Sequence, residues 1–448
     1  MRILYVHHTL PPDSHAGSEI YHHRIAAAMA ERHDVGILYR EANAEQEEYA
    51  VSERAEGALR VFAINNSFKD CTSFELTYRN PGIEERVRRL LEALKPEIVH
   101  FGHVTCLSTG LPGLAREQGA RVFMTLHDFW LLCQRGQLLR RDYALCDGPS
   151  TSGCALCLAD QISLGAGTKR AAQIAGRYLR FAESPVLRRL ASAYARTRLS
   201  LNRGARGAID RRTERIRDLF DAVDRFISPS QFLRDFFVKS GLPSGKIVVS
   251  DNGLDKSFLA SYKRVASDVL RLGYVGSIIP SKGLHVLLEA MEMLALDRVT
   301  LSIHGGFQSY HGDATYEPQI RSLLARLPKV HLDGPFEPSE LGSVLSSIDV
   351  LVVPSIWYEN SPLTIHEAFE AGIPVIAAEL GGMREFVVHG KNGLLFKARS
   401  SDELASRIRM LLDDRSLLGA LAAGAVPQKS LDANVRELET LYTEVLQK

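Results

Sequence analysis

Two glutamates, Glu359 and Glu367, stand with seven residues between them in the stretch Tyr358–Gly372. Before them runs an apolar segment, Val350–Val353, closed by Pro354-Ser355; after them comes Ile373-Pro374-Val375-Ile376-Ala377. Strand, loop, short helix and strand make the βαβ unit of a parallel sheet, whose ligands gather at the carboxyl ends of the strands. This spacing places Glu359 in a ligand-facing loop and Glu367 two turns into the following helix. Ser361-Pro362 reads as an N-cap followed by proline in the first turn. Pro362 has no N–H, so Ser361, Leu363 and Thr364 would supply the helix-end donors, which suit a phosphate. Carboxylates beside such an end repel phosphate but accept hydrogen bonds from sugar hydroxyls. The alternative is a solvated pair on an exposed helix.

Taken with Gly372-Ile373-Pro374-Val375-Ile376 and Gly381-Gly382-Met383-Arg384-Glu385, the stretch resembles the retaining glycosyltransferases of family four. Their architecture, called GT-B, joins two Rossmann-like domains. The resemblance implies that Glu359 contacts a donor sugar and Glu367 the nucleotide ribose. It spans nearly the whole chain and is weakest from Cys133 to Arg217.

Other segments fit the same pattern. Ala16-Gly17-Ser18-Glu19 is similar to a first-domain loop that is usually Gly-Gly-x-Glu, with Ser18 in place of a second glycine. There Gly17, Ser18 and the helix amides behind them would approach a diphosphate; the alternative is a plain turn. Gly276-Ser277 and Lys282-Gly283 stand where the family has Gly-Arg and Lys-Gly. Lys282 would then neutralise the leaving diphosphate, while Ser277 replaces the expected Arg and leaves Arg384 as a compensating cation. His127-Asp128 follows the strand Val122–Leu126, and the resemblance puts His127 beside the donor sugar. His100 and His103 occupy a similar strand end. Ser228-Pro229-Ser230 and Asp251-Asn252-Gly253-Leu254-Asp255 match family patterns too, or serve only loop geometry.

These residues need two domains to carry them, and 448 residues suffice for two full cores. In the first half, strands are expected at Ile3–His7, Val35–Tyr39, Ile98–Phe101, Val122–Leu126, Phe226–Ser228 and Ile247–Ser250. Helices fall at Gly17–Arg32, Glu84–Leu94 and Leu111–Gln118. A second series begins at Arg271, with strands at Leu272–Val275, Thr300–His304, Lys329–Leu332, Val350–Val353, Val375–Ala378 and Leu394–Phe396. Helices at Lys282–Leu294, Tyr316–Ala325, Pro338–Leu345 and Asp402–Leu412 separate them. The expected fold class is α/β: GT-B, two doubly wound Rossmann-like domains facing across a cleft. The first domain would cover residues 1–255, with a cysteine-containing, basic helical insertion at about 130–220. A linker (256–270), a nucleotide-sugar-binding domain (271–425) and a final helix (426–448) crossing back to the first domain complete the expectation.

Four of six cysteines cluster: Cys133, Cys146, Cys154 and Cys157. The last two have a spacing that lets both thiolates meet one tetrahedral metal, so a structural Cys₄ zinc site is one expectation and four reduced thiols the other. Net charge is +1, yet Lys169–Arg217 holds fourteen Lys or Arg against Glu183, Asp210 and Glu214, a balance of +11. Within it Leu187, Leu190, Ala191 and Tyr194 share one helical face beside Arg188 and Arg189. Such a segment suits an anionic membrane surface or packs on a core. No nucleic-acid motif accompanies it.

The absence of Gly-x-Gly-x-x-Gly after a strand, and of phosphate-loop spacing at Gly165–Lys169, argues against a dehydrogenase or a P-loop ATPase. No apolar run reaches membrane-span length, and the start is too soon polar for a signal peptide. The expectation is a cytoplasmic enzyme, peripheral on the inner membrane face. It would move a sugar from a UDP- or GDP-type donor to a glycan or lipid-linked acceptor in polysaccharide or glycoconjugate assembly. No catalytic metal is called for if Lys282 and backbone amides carry the charge. The competing readings are a sugar-nucleotide epimerase or phosphorylase of the same architecture, and a non-catalytic sugar-nucleotide-binding relative.

Overall fold

The computed structural model describes residues 1–12, 16–162, 203–294 and 297–447. Chain contacts divide it into two compact units: Met1–Ile227 with Val238–Val248 and Glu439–Lys448, and Ser228–Phe237 with Val249–Leu438.

The strands of the first unit's sheet are β1 (Arg2–His7), β2 (Asp34–Glu41), β3 (Val51–Glu56), β4 (Leu59–Asn65), β5 (Ile98–Phe101), β6 (Arg121–Thr125), β7 (Arg225–Ser228) and β8 (Ile247–Val249). They lie in the order β3-β4-β2-β1-β5-β6-β7-β8. β1 is flanked in parallel by β2 and β5, with Val6 opposite Leu38 and Phe101. Ile3, Leu4, Tyr5 and Val6 are all buried, because helices cover both faces of a parallel sheet. The helix Gly17–Ala30 packs Tyr21, Ile25, Ala26 and Met29 inward. An antiparallel β3–β4 hairpin, absent from the expected strands, extends the sheet. Val51–Arg54 and Ala55 are exposed, and a strand without a buried face shows no apolar alternation to read.

The final helix, Leu431–Leu446, contributes its last turns to this unit. Tyr442 is fully buried there, its hydroxyl 2.9 Å from that of Tyr5 and its ring 4.8 Å from that of Phe123. Burial without charge pushes both phenols above their ordinary range.

The second unit holds the strands β9 (Leu270–Val275), β10 (Val299–His304), β11 (Val330–Gly334), β12 (Val350–Val353), β13 (Val375–Ala378) and β14 (Gly393–Phe396). They form one sheet, β11-β10-β9-β12-β13-β14, in which every recorded pairing is parallel. Strand order reverses between β9 and β12 here, and between β1 and β5 in the first unit. Such switch points leave a crevice at the carboxyl ends of the two strands. The residues after β9 and β12 are Gly276-Ser277 and Pro354-Ser355; those after β1 and β5 are His8 and Gly102-His103.

The fold class is therefore α/β of the GT-B kind. The expected helix Lys282–Leu294 begins later, at Leu284, behind a 3₁₀ turn at Pro280–Lys282. The basic run over residues 169–202, with Arg188, Arg189, Arg196 and Arg198, lies outside the described residues, as does Gly165–Lys169. The helix Arg203–Ala222 comes directly after that run in the chain. Its Arg212 is buried and donates to the carbonyls of Trp130 and Leu131 and to Gln134 Oε1, over the ring of Trp130 at 5.0 Å. Loss of hydration lowers this guanidinium to about 10. In this part of the basic segment an arginine is a packing element.

Candidate active site

In the second unit, Glu359 occupies the loop after β12 and is 4% exposed. A buried carboxylate needs donors, since desolvation alone would make its charge costly. Glu359 Oε1 receives three: Lys282 Nζ at 2.7 Å, Ser355 Oγ at 2.7 Å and Trp357 Nε1 at 2.8 Å. Lys282 comes from the loop after β9, so the switch point joins residues 77 positions apart. Its ammonium also lies 5.6 Å from the Trp357 ring centroid, and its side chain remains 31% exposed. Charge-assisted bonds of this kind are worth about 1.5–3 kcal/mol each when water is excluded. Glu359 is thereby held in one orientation, with Oε2 outside the three contacts.

The loop is braced from behind. Gly382 N–H donates to Glu359 O at 2.6 Å. A Cβ on Gly382 would overlap the carbonyl of Asn360. Gly381-Gly382 is thus a surface against which the Glu359–Asn360 backbone lies flat, which only a residue without a side chain permits. Glu385, three residues on, accepts from Gln231 N–H at 2.8 Å and from Phe232 N–H, the first amides of the helix Gln231–Lys239. A carboxylate on a helix N-terminus is stabilised by the local dipole. Tyr358 stacks 5.5 Å from Phe232, fixing the residue beside Glu359.

The helix after the loop differs from the sequence expectation. It runs Leu363–Glu370, and its N-cap is Pro362, without a side-chain cap. Ser361 does not cap it, because its hydroxyl donates instead to Asp251 Oδ1 at 2.7 Å and lies 2.8 Å from His366 Nε2. The buried His366 in turn sets Nδ1 2.6 Å from Gln428 Oε1. Asp251 and Ser361, both within motifs read from the sequence, bond directly, and His366, to which the motifs give no role, engages the same Ser361 hydroxyl. Its place directly before Glu367, on the buried face, is the signal that could have found it. Glu367 is half-buried on the helix, and Leu363 and Thr364 form its first turn.

Gly276 has φ +146°, and Ser277 follows it at the end of β9, its carbonyl accepting from Tyr274 Oη at 2.8 Å. Arg384, the expected compensating cation, is 62% exposed and pairs with Glu379 at 3.4 Å. Another guanidinium, that of Arg399, donates to Ile356 O in the loop after β12 at 3.3 Å.

In the first unit, His127 follows β6 and its Nε2 lies 2.7 Å from His22 Nε2. One imidazole must donate to the other, so the pair shares a proton position. His22 is on the helix Gly17–Ala30, which Gly17 and Ser18 open. The Ser18 hydroxyl is committed to Glu19 at 2.6 Å. Burial holds His127 at about 4 and His100 at about 3, with His7 and His22 also well below the ordinary range. Neighbouring imidazoles push the same way, because each disfavours a second charge. His100 bonds Thr125 and the Tyr442 hydroxyl and so belongs to the core.

Cys133, Cys146, Cys154 and Cys157 are all free thiols. Cys146 Sγ donates to Gly148 O at 3.3 Å, and Cys154 Sγ accepts from Ser150 N–H at 3.4 Å. Burial pushes the Cys133 thiol up to about 11 and raises Cys154 and Cys157. Among the described residues no group of three or more His, Cys, Asp or Glu is placed to hold a metal ion.

Two family models match the chain. "Glycosyltransferase Family 4" matches residues 15–148 and "Glycosyl transferases group 1" residues 262–425. The chain belongs to glycosyltransferase family four. Among curated relatives, a D-inositol 3-phosphate glycosyltransferase of Thermobispora bispora is 28% identical over 51% of this chain and 58% of its own. A lipopolysaccharide 1,2-N-acetylglucosaminetransferase of Salmonella typhimurium is 29% identical over 44% and 55%. The chain spans about half the length of the curated relatives it matches. Anabaena HepE, crystallised with UDP, is 18% identical, with a TM-score of 0.63 over 99% of this chain and 100% of that one. Sucrose-phosphate synthase of Thermosynechococcus elongatus gives 0.67 at 17% identity over 100% of both. At such identities the likeness concerns the GT-B fold.

Proposed function

We propose that the protein is a retaining glycosyltransferase that moves a sugar from a nucleoside diphosphate donor, of UDP or GDP type, to a glycan or lipid-linked acceptor in polysaccharide or glycoconjugate assembly. The observation that carries this reading is the buried Glu359 carboxylate, fixed by Lys282, Ser355 and Trp357 at a switch point. Glu359 orients a sugar through its hydroxyls and Glu367 takes the ribose. Lys282 and the amides of Ser361, Leu363 and Thr364 take the diphosphate, with Gly276 and Ser277 beside it. In the first unit the family resemblance assigns His127 to the sugar and the amides at Gly17-Ser18 to the diphosphate. The bond from the anomeric carbon to the diphosphate breaks and one to the acceptor oxygen forms on the same face. The acceptor proton leaves with the nucleoside diphosphate, whose growing charge Lys282 stabilises, so the reading calls on no metal ion.

Support for the donor class comes from Anabaena HepE, whose crystal structures include complexes with UDP and with UDP-glucose. The deciding experiment measures nucleoside diphosphate release from UDP- and GDP-sugars with and without an acceptor extract. Acceptor-dependent release that Glu359→Gln abolishes supports transfer; binding without release would favour the non-catalytic relative. No helix among the described residues is long and apolar enough to cross a membrane. Attachment to the inner membrane face rests on the +11 balance of Lys169–Arg217. Co-sedimentation that fails to rise with anionic lipid would remove it.

A further inference from the structure

Two carboxylate–imidazole pairs face each other at the carboxyl ends of β1, β5 and β6. Glu19 Oε1 lies 3.2 Å from His8 Nε2, and Asp128 Oδ1 lies 3.3 Å from His103 Nε2. The His8 and His103 rings are 4.7 Å apart, which closes the array Glu19–His8–His103–Asp128. Behind it stand His7, 4.5 Å from His8 between ring centroids, and the His22–His127 pair. Gly102 makes this density feasible: a Cβ there would overlap the rings of His22 and His7.

This arrangement is poorly explained as core. Among the described residues, His7 Nε2, His8 Nδ1 and His22 Nδ1 are buried without a hydrogen-bond partner. Each such group keeps its full desolvation cost if nothing meets it. His7 and His22 have no exposed surface, whereas the side chains of His8 and Asp128 are 22% and 30% exposed. Polar groups gathered at a switch point, with unmet nitrogens and an open side, form a binding surface.

Charge then selects the ligand. His7, His22 and His127 are held neutral by burial. Burial works to raise Glu19, but hydrogen bonds and charge from His8 outweigh it and keep the carboxyl ionised, and His103 does the same for Asp128. Two carboxylates therefore balance His8 and His103 whatever their protonation, and the array is never net cationic. It offers carboxylate oxygens and imidazole nitrogens to hydroxyl groups, and its four side chains carry no net positive charge to hold an anion.

We propose that Glu19, His8, His103 and Asp128 form a subsite for an uncharged polyhydroxyl portion of the acceptor, a sugar ring presenting hydroxyls and no phosphate or carboxylate. The proposal rests on the glycosyl-transfer reading and narrows it. It sets this chain against an inositol phosphate, the compound named in several of its relatives.

Saturation-transfer NMR on the full chain tests it, with methyl α-glucoside and myo-inositol as neutral probes and glucose 6-phosphate and myo-inositol phosphate as anionic ones. The neutral probes should show contact, with the phosphates at least about tenfold weaker. Asp128→Asn should weaken the neutral probes without changing UDP affinity. His8→Lys combined with Glu19→Gln and Asp128→Asn, which removes both negative charges and adds a fixed positive one, should reverse the order of preference. Phosphates binding the native chain as well as the neutral probes, or no contact from any neutral probe, would overturn the subsite. Titration with UDP and UDP-sugars runs alongside, so failure of the donor reading appears as missing nucleotide binding and is distinguishable.

Discussion

Both units place titratable groups at a switch point, but they hold them by opposite means. In the second unit a carboxylate is buried and paired: three donors converge on one oxygen of Glu359, and the backbone behind it rests on Gly381-Gly382. In the first unit imidazoles are packed against one another, His7 and His22 kept neutral by the loss of water, with three ring nitrogens unmet among the described residues. A matched charge is rigid and costs much to disturb. Imidazoles held neutral by burial are sensitive to acid, and their unmet nitrogens are open to hydroxyls.

The largest expected effect comes from breaking the matched charge. Lys282→Met leaves Glu359 without its cation, and transfer should fall by about 10²–10³-fold, as for loss of a preorganised donor at a developing anion. Breaking a buried pair costs about 3–5 kcal/mol, a figure to be reduced here because Lys282 is 31% exposed. Glu359→Gln keeps the shape and should lower turnover far more than nucleotide affinity. Equal losses in both, by steady-state kinetics and calorimetry, would move Glu359 off the sugar.

Next in size is the support behind the loop. Gly382→Ala introduces a methyl group where Asn360 O lies, and overpacking of that kind costs about 1–3 kcal/mol. Denaturant melts should show the loss, and Trp357 fluorescence should report a displaced loop. An unchanged midpoint would mean that the loop yields freely, contrary to its bracing.

Acid should separate the two units. His7, His22, His100 and His127 have folded-state values below the free imidazole, His127 at about 4 and His100 at about 3. Above pH ~6.5 both states are neutral and the stability is intact; as pH falls through ~6.5 the unfolded chain binds protons first, so stability declines down toward the folded values. Melting followed by hydrogen exchange should show β1, β5 and β6 losing protection between pH ~6.5 and ~4 before β9 and β12 do. Simultaneous loss in both sheets would remove the contrast.

The smallest effect is expected from Arg384→Gln. Its exposed pair with Glu379 should be worth no more than ~1 kcal/mol, and transfer should be unchanged. A large loss of activity would restore Arg384 as the cation that replaces the arginine missing at Ser277.

Much of the second unit is legible in the sequence because its signals are local. A buried parallel strand is a short apolar run, and Val350–Val353 and Val375–Ala378 coincide with their expected spans. The Ser361 cap fails for a physical reason: a hydroxyl takes the nearest strong acceptor, and Asp251, 110 residues away, is invisible to local spacing. The edge strand β3 gives no signal because its side chains face solvent on both sides. The helix Gln231–Lys239 is absent from the expected elements although Ser230 Oγ accepts from Leu233 N–H at 3.3 Å in the manner of an N-cap.

By itself the sequence determined the two alternating strand–helix series, and with them the α/β class and the Glu359–Glu367 loop between two strands. These follow from periodicity, turn residues and spacing, which act within a few residues of chain. Only the tertiary structure decided that Lys282 meets Glu359, that Asp251 and His366 share Ser361, and that histidines from β1, β5, β6 and the helix Gly17–Ala30 gather into one cluster. Strand order is set by how helices pack across the sheet, and the sheet brings strand ends together without regard to their distance in sequence. Charge pairing and desolvation then act on neighbours that no local pattern names.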